Sequence, residues 1–498
     1  MSSRRYAEYP HGIADLQVRP KTAMTTRRFA VLVGLMILAA APLSLHARVR
    51  DVKIRGYVTR VVSATQFEIE DYRISSDGAF SLDLENGDPD LKFRPEDIRV
   101  GVEVEIKGLL NEETGDLKAT SIKVDMEQFK KQKQTAILSR PPQGVTRSGN
   151  GWTGTFFVDG QRIRISPATE VVFKTNDREV EQAADESFRP LTSLSEITTG
   201  MAMTYEGART IQDGAIVATR VEIRRNFLEP GEKKIWDSLQ VSSRPFDAAG
   251  LRAGELKIER VGKFKTLPDQ DVQDYVARVG RSLVPAYQRT MDERNPTRIP
   301  FRFYVVQERV PNAFALPNGI VVVHSSIFDI VENEAQFSAI IGHEIAHAVQ
   351  EHTWRQQNFQ KGKRTALAIG SLVAAVAGKY AIRDLLDLTS AAIANGYSRN
   401  LENQADRLGL EYMVNAGYDP REAPRVWKEM SQKLGDQPTN FFWSNHDNHA
   451  TRRSYLMNEL RNNYANLDYS RLRTGDARFR TIVEKIDAAG GGMKKPKK

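Results

Sequence analysis

The chain has 498 residues, 40% of them apolar and 27% charged, with 71 Lys and Arg against 63 Asp and Glu, a formal charge of +8 and no cysteine. That balance describes globular material of several domains and excludes a fibre, a low-complexity chain and a multi-span membrane protein. Without cysteine there are no disulfides, thiolate-held metals or thiol nucleophiles, so a bound metal must rest on His and carboxylates.

Residues 1–47 hold six basic and two acidic side chains, and Lys494, Lys495, Lys497 and Lys498 close the chain, which leaves the body between them near neutral. A basic groove for nucleic acid is therefore not expected. The apolar stretch 29–45 follows Arg27 and Arg28 and ends in small residues at Ala47, the pattern of a secretory signal, with Met24 as an alternative start. The reading is a leader over 1–47 and a periplasmic protein. Its alternative is an N-terminal anchor facing the periplasm, against which the run is short for the ~20 residues of a span.

Residues 53–225 read as short strands with polar turns. The segment 98–124 aligns without a gap onto 197–223 at an offset of 99 residues, pairing Gly101 with Gly200, Gly108 with Gly207 and Ala119 with Ala218. Two copies of one β-unit follow, expected at 48–126 and 144–226, with 127–143 as a linker. Each suits a small open barrel of OB type, but neither carries a basic aromatic stripe. A module that binds an envelope protein or acts as a spacer is the plainer reading.

Six of the eight histidines lie between 324 and 449. His343-Glu344-Ile345-Ala346-His347 is an H-E-x-x-H pattern on an amphipathic helix, so His343 and His347 sit one turn apart on one face and can share a Zn²⁺. Glu344, turned about 100° from His343, can hold a metal-bound water without being a ligand. Glu402 is the candidate third ligand on a second helix, and Asp406, one turn on, can accept a ligand imidazole's N–H. His352 is expected to face away from the metal, and His324 to be a packed or surface residue and not a ligand. The strand over 312–323 offers an exposed edge that could pair with an extended substrate, which makes Asn312, Ala313, Ala315 and Gly319 the candidate substrate-binding residues; Gly319 admits another backbone.

Asn312-Ala313-Phe314-Ala315-Leu316-Pro317-Asn318-Gly319, then Asn333-Glu334-Ala335 leading into His343–His347, then Glu402-Asn403-Gln404-Ala405-Asp406, resemble the zinc metallopeptidase family of the CAAX prenyl proteases and HtpX-like endopeptidases, in its soluble periplasmic branch. The resemblance covers about 230–465. It implies His343, His347 and Glu402 as ligands of one zinc ion per chain, Glu344 as general base and Asp406 as the acid behind a ligand. It also implies a histidine that steadies the oxyanion. His446 keeps the family's spacing to Arg452 but is followed by Asp447 in place of proline, and His449 is the fallback.

The expected fold is α+β, a mainly helical zincin-type catalytic domain with a small β-sheet over 227–470, preceded by two small OB-like barrels and followed by a partly disordered tail over 471–498. The expected function is a zinc metalloendopeptidase acting on proteins of the cell envelope in quality control. The alternative is a chaperone-like scaffold with a structural or gated zinc. Partners are protein or peptide substrates, an envelope protein at the β-modules, and a membrane surface touched by the Gly/Ala-rich stretch 366–377.

Overall fold

In the computed structural model the described residues are 49–76, 81–85, 93–175, 190–245, 254–358, 397–434, 449–475 and 477–492. The leader, the 366–377 stretch and His446 lie outside them.

The first sheet is built from β1 (Val49–Tyr57), β2 (Arg60–Ser63), β3 (Gln66–Ile69), β4 (Tyr72–Ser75), β5 (Ser81–Glu85), β6 (Glu103–Asn111) and β7 (Asp116–Asp125). The second uses β8 (Gln132–Ile137), β9 (Val145–Ser148), β10 (Gly151–Val158), β11 (Gln161–Ile165), β12 (Glu170–Phe173), β13 (Ala202–Arg209) and β14 (Ile216–Arg224). Strand order is β1-β6-β7-β4-β3-β2 with β5 beside β7, then β8-β13-β14-β11-β10-β9 with β12 beside β14. Every strand of one sheet has its counterpart seven strands later, so the duplication extends beyond the segment that aligns in sequence.

The paired glycines explain why that segment aligns. The β6–β7 register slips at Lys107/Gly108, and the β13–β14 register slips at Glu206/Gly207, 99 residues on. A Cβ on Gly108 would lie 2.2 Å from the Lys118 carbonyl oxygen, and one on Gly207 would lie 2.3 Å from that of Val217. Only glycine fits such a bulge. The bulge also resets the alternation, so Ala119 and Ile122 both point inward, as do Ala218 and Val221.

Neither sheet closes into a barrel among the described residues, since β1 and β2, and likewise β8 and β9, remain unpaired ends of their sheets. The free side of β1 is instead covered by the helix that carries Ser454, where the Tyr57 amide donates to Ser454 Oγ at 2.9 Å. The expected linker 127–143 is also revised, because β8 lies inside it and pairs with β13 along Gln132–Ile137. Lys131 and Lys133 project outward to Glu206, while Ala136 and Ile137 enter the core.

A third, mixed sheet has the order β15-β16-β17-β18-β20-β19, from β15 (Val241–Arg244), β16 (Gly254–Ile258), β17 (Gly262–Thr266), β18 (Arg302–Val306), β19 (Ala313–Ala315) and β20 (Ile320–His324). Around it run α1 (Pro230–Ser238), α2 (Gln270–Leu283), α3 (Ala286–Thr290), α4 (Glu334–Val349), α5 (Arg399–Asn415), α6 (Glu422–Leu434), α7 (His449–Asn463) and α8 (Arg478–Ala488). The fold is thus α+β. Residues 471–492, expected as tail, are folded in large part: Phe479, Ile482 and Ile486 of α8 join the core, and Ser325 Oγ donates to the Gly491 carbonyl at 2.5 Å.

Both β-modules press a hairpin turn onto this half. Glu70, between β3 and β4, has a left-handed φ of 56° and pairs with Arg453 of α7 at 2.5 Å. Asp159, between β10 and β11, has φ 46° and pairs with Arg407 of α5 at 3.3 Å.

Candidate metal centre

Helix α4 starts at Asn333, whose side chain accepts the Gln336 amide at 2.9 Å, and it carries His343, Glu344 and His347 into the core. It crosses α5 where two glycines meet: a Cβ on Gly342 would sit 3.2 Å from the Gly409 carbonyl oxygen, and one on Gly409 the same distance from the His343 amide. This close approach brings Glu402 and Asp406 against the histidines.

The result is a buried donor set. His343 Nε2 and His347 Nε2 are 2.9 Å apart, and the Glu402 carboxylate lies 3.3 Å from the first and 3.6 Å from the second. A tetrahedral cation bound at about 2.1 Å keeps its donors about 3.4 Å apart, so these three fit a single zinc-sized ion, with nitrogen and oxygen donors of the type zinc takes. They form the one group of this kind found among the described residues. Glu344 lies beside them, with Oε2 accepting the Ala315 amide at 3.2 Å and Oε1 buried without a hydrogen-bond partner among the described residues. Burial, with the Glu402 charge adding to it, pushes the Glu344 carboxyl up to about 8.

Asp406 faces the far nitrogen of His343, Oδ1 to Nδ1 at 3.0 Å. Burial disfavours charge on His343 and Arg452 adds to that, yet Asp406 and Glu402 outweigh both and lift the imidazole to about 9. Burial would likewise raise the Asp406 carboxyl, but Arg452 and His343 hold it below its ordinary value. Arg452, on α7, donates to both Asp406 oxygens, from Nε at 3.0 Å and from Nη2 at 2.5 Å. Its guanidinium lies 3.8 Å over the Trp427 ring.

Of the candidate substrate residues, Ala313 and Ala315 lie on β19, the outermost strand of the third sheet, with Asn312 just before it. Gly319 is not on that strand; it sits in the β19–β20 turn, φ 82°, packed against Ile299 and Phe301. His324 is packed, its Nδ1 2.7 Å from the Val310 carbonyl oxygen. His446 is outside the described residues, and His449 begins α7.

The reading of His352 is corrected. Helix α4 ends at Val349, Glu351 takes a left-handed φ of 55°, and the chain resumes as helix over 352–358, so the register from His343 no longer applies. His352 Nδ1 lies 2.7 Å from His347 Nδ1. Burial pushes the His352 imidazole down to about 3, so it stays neutral. Tyr397, whose ring stacks 4.2 Å from His347, and Gln404, 3.0 Å from His352 Nε2, are further neighbours that no motif announces. Arg452 had a signal, its spacing from His446, but no role attached to it.

Residues 271–460 match the model of peptidase family M48, and residues 55–123 match a domain of unknown function, DUF5666. The chain is 30% identical over 187 residues to the beta-barrel assembly-enhancing protease of Escherichia coli (strain K12), covering 36% of this chain and 37% of that protein. It is 32% identical over 166 residues to the protein of the same name from Yersinia pestis, covering 31% and 33%. To the mitochondrial metalloendopeptidase OMA1 of Arabidopsis thaliana it is 34% identical over 160 residues, covering 32% and 31%. The chain thus spans about a third of the length of the curated relatives it matches.

Proposed function

Taking residues 271–460 as a domain of peptidase family M48, we propose that the chain is a zinc-dependent endopeptidase of the cell envelope, acting on proteins there in quality control. The observation that carries this reading is the donor set His343, His347 and Glu402 with Glu344 beside it. The names of the relatives, an assembly-enhancing protease and a metalloendopeptidase, support the same class.

In this reading His343, His347 and Glu402 hold the ion, which when bound supplies Lewis acidity toward a scissile carbonyl and a water acidified to near neutral pH. Glu344, whose Oε1 has no hydrogen-bond partner among the described residues, would accept a proton there as general base and return it to the leaving amine. Asp406 keeps the His343 proton on Nδ1, and Arg452 keeps Asp406 ionised and oriented. An extended substrate docks along β19, the outermost strand of its sheet, with recognition leaning on backbone at Asn312 and Ala313, since the Ala315 amide already donates to Glu344. His446 or His449 would face the oxyanion.

The catalytic half is zincin-type and the two β-modules are OB-like units that recruit an envelope protein. The compartment is the periplasm. Among the described residues no helix is long and apolar enough to cross a membrane. The test is zinc content and casein cleavage by the purified chain against Glu344→Gln. Equal zinc in both, with cleavage lost in the variant, is expected. Zinc without cleavage in either would favour the scaffold, and absence of zinc from the wild type would sink the ligand assignment.

A further inference from the structure

The second β-module touches the catalytic half through groups that converge on one ligand imidazole. We infer that Asp159, in the β10–β11 turn of that module, is a positioning residue for His347, acting through Gln404 and His352. The inference rests on the metal-centre reading above and adds a part of the chain that lies outside the matched family region.

The argument is one of hydrogen-bond direction. An ionised carboxylate can only accept, and Asp159 Oδ2 lies 2.6 Å from Gln404 Nε2, so the Gln404 amide must present its NH₂ to the module. The carbonyl of Thr135, on β8, receives the same NH₂ group at 3.1 Å and holds it the same way round. Gln404 Oε1 is therefore turned toward His352 Nε2, 3.0 Å away, which must carry the proton. The partners of the buried His352 are an amide oxygen and an imidazole, with no carboxylate among them, so with its proton on Nε2 it offers Nδ1 as an acceptor, 2.7 Å from His347 Nδ1. That nitrogen then donates, and the remaining lone pair of His347 is on Nε2, the atom that faces His343 and Glu402. A carboxylate three residues removed thus fixes the tautomer that a metal ligand needs.

The line is built for permanence. His352 and Gln404 are fully buried and Asp159 is 6% exposed, so no water competes along it. Aligned hydrogen bonds in such surroundings strengthen one another. Arg407 anchors the far end, its Nε donating to the Asp159 carbonyl at 2.6 Å. The Asp159 turn is set by its left-handed backbone, with Gly160 following at φ 80°.

The test is zinc affinity of the whole chain by competition with a chelator of known strength, read beside the unfolding temperature of the zinc-free protein. Outer partners of ligands typically contribute 10–100-fold in metal affinity, so His352→Ala should weaken binding about 10- to 100-fold and Asp159→Ala, further out, roughly 3- to 10-fold. Asp159→Asn, which keeps an acceptor for Gln404, should restore most of the loss. Asn463→Ala removes the hydrogen bond from Asn463 Nδ2 to the Gly160 carbonyl at 2.9 Å, loosening the same turn without touching the line, and should leave affinity unchanged. Should Asp159→Ala fail to fold, Gln404→Met breaks the line while leaving Arg407 its carboxylate, and the same weakening is expected. Unchanged affinity in Asp159→Ala or Gln404→Met overturns the inference, as does an equal loss in Asn463→Ala. A wild type that binds no zinc would overturn the metal centre itself.

Discussion

Arg452 is a buried cation whose removal should be costly in a specific way. It donates twice to Asp406, lies 3.5 Å from Glu402 and caps Trp427, with about 1% of its surface exposed. Arg452→Met keeps length and apolar contact but leaves the buried Asp406 carboxylate with the His343 imidazole as its remaining partner here, which costs about 3 kcal/mol. Asp406→Asn leaves the opposite charge stranded, though Glu402 shares part of it. Removing both partners is gentler than either deletion suggests, because the Asp406–Arg452 pair leaves together and only Glu402 loses a neighbouring cation. A double-mutant cycle on zinc-free protein, by urea unfolding, should therefore give a coupling of about 2–3 kcal/mol. In cleavage assays either single change should lower turnover by about 10- to 100-fold, since Arg452→Met releases the acceptor that orients the far nitrogen of His343 and Asp406→Asn removes its charge. Additivity within about 0.5 kcal/mol, or single variants costing under about 1 kcal/mol, would refute the reasoning.

Other outcomes follow from the same geometry. Burial, opposed by Arg407 and Gln404, leaves the Asp159 carboxyl raised to about 6, above its unfolded 3.8. The folded state thus holds this proton more tightly, and the group's contribution to stability declines as pH rises from about 4 to 6. Asp159→Asn should flatten that decline by on the order of 2–3 kcal/mol between pH 4 and 7; parallel pH profiles for variant and wild type would count against it. Gly207→Ala should cost at least about 2 kcal/mol by thermal unfolding, because its Cβ meets a carbonyl oxygen, and a neutral result would mean the β13 bulge can open. Saturating zinc at 100 times its dissociation constant should add about 2.7 kcal/mol of stability to the native chain, and Glu402→Ala should abolish most of that gain.

How much of this was legible in the sequence depended on the range of the interaction. The spacing of His343 and His347 and of Glu402 and Asp406 is local helical geometry, so the sequence carries it directly. The β-duplication was readable because the bulge needs glycine at two fixed places, which preserves Gly108 and Gly207 at one offset. Strand β8 was hidden, since its exposed half reads Gln132-Lys133-Gln134-Thr135, a polar run whose partners lie about 70 residues away. His352 was misplaced because one left-handed residue, Glu351, ended the helix that the extrapolation assumed to continue. Asp159 could not be found from local pattern at all: its role exists only once 245 residues of separation from Gln404 have been folded away. The α8 segment was read as tail because its three apolar anchors are scattered among charges.

The two hairpin turns of the β-modules occupy the same place in the duplicated topology, and each meets an arginine that directly follows a residue of the Asp406–Arg452 clamp. Glu70 grips Arg453, next to Arg452 on α7, and Asp159 grips Arg407, next to Asp406 on α5. One repeated unit has thereby become a pair of jaws, and the object between them is the junction of the two helices that steady the His343 imidazole. Changing the spacing between the modules would move the jaws, and the distance from guanidinium to carboxylate would change with it. The duplicated half is in that sense a gauge for the half that carries the donor set, and a chain cut at residue 227 would retain the motif but lose the standard that sets its width.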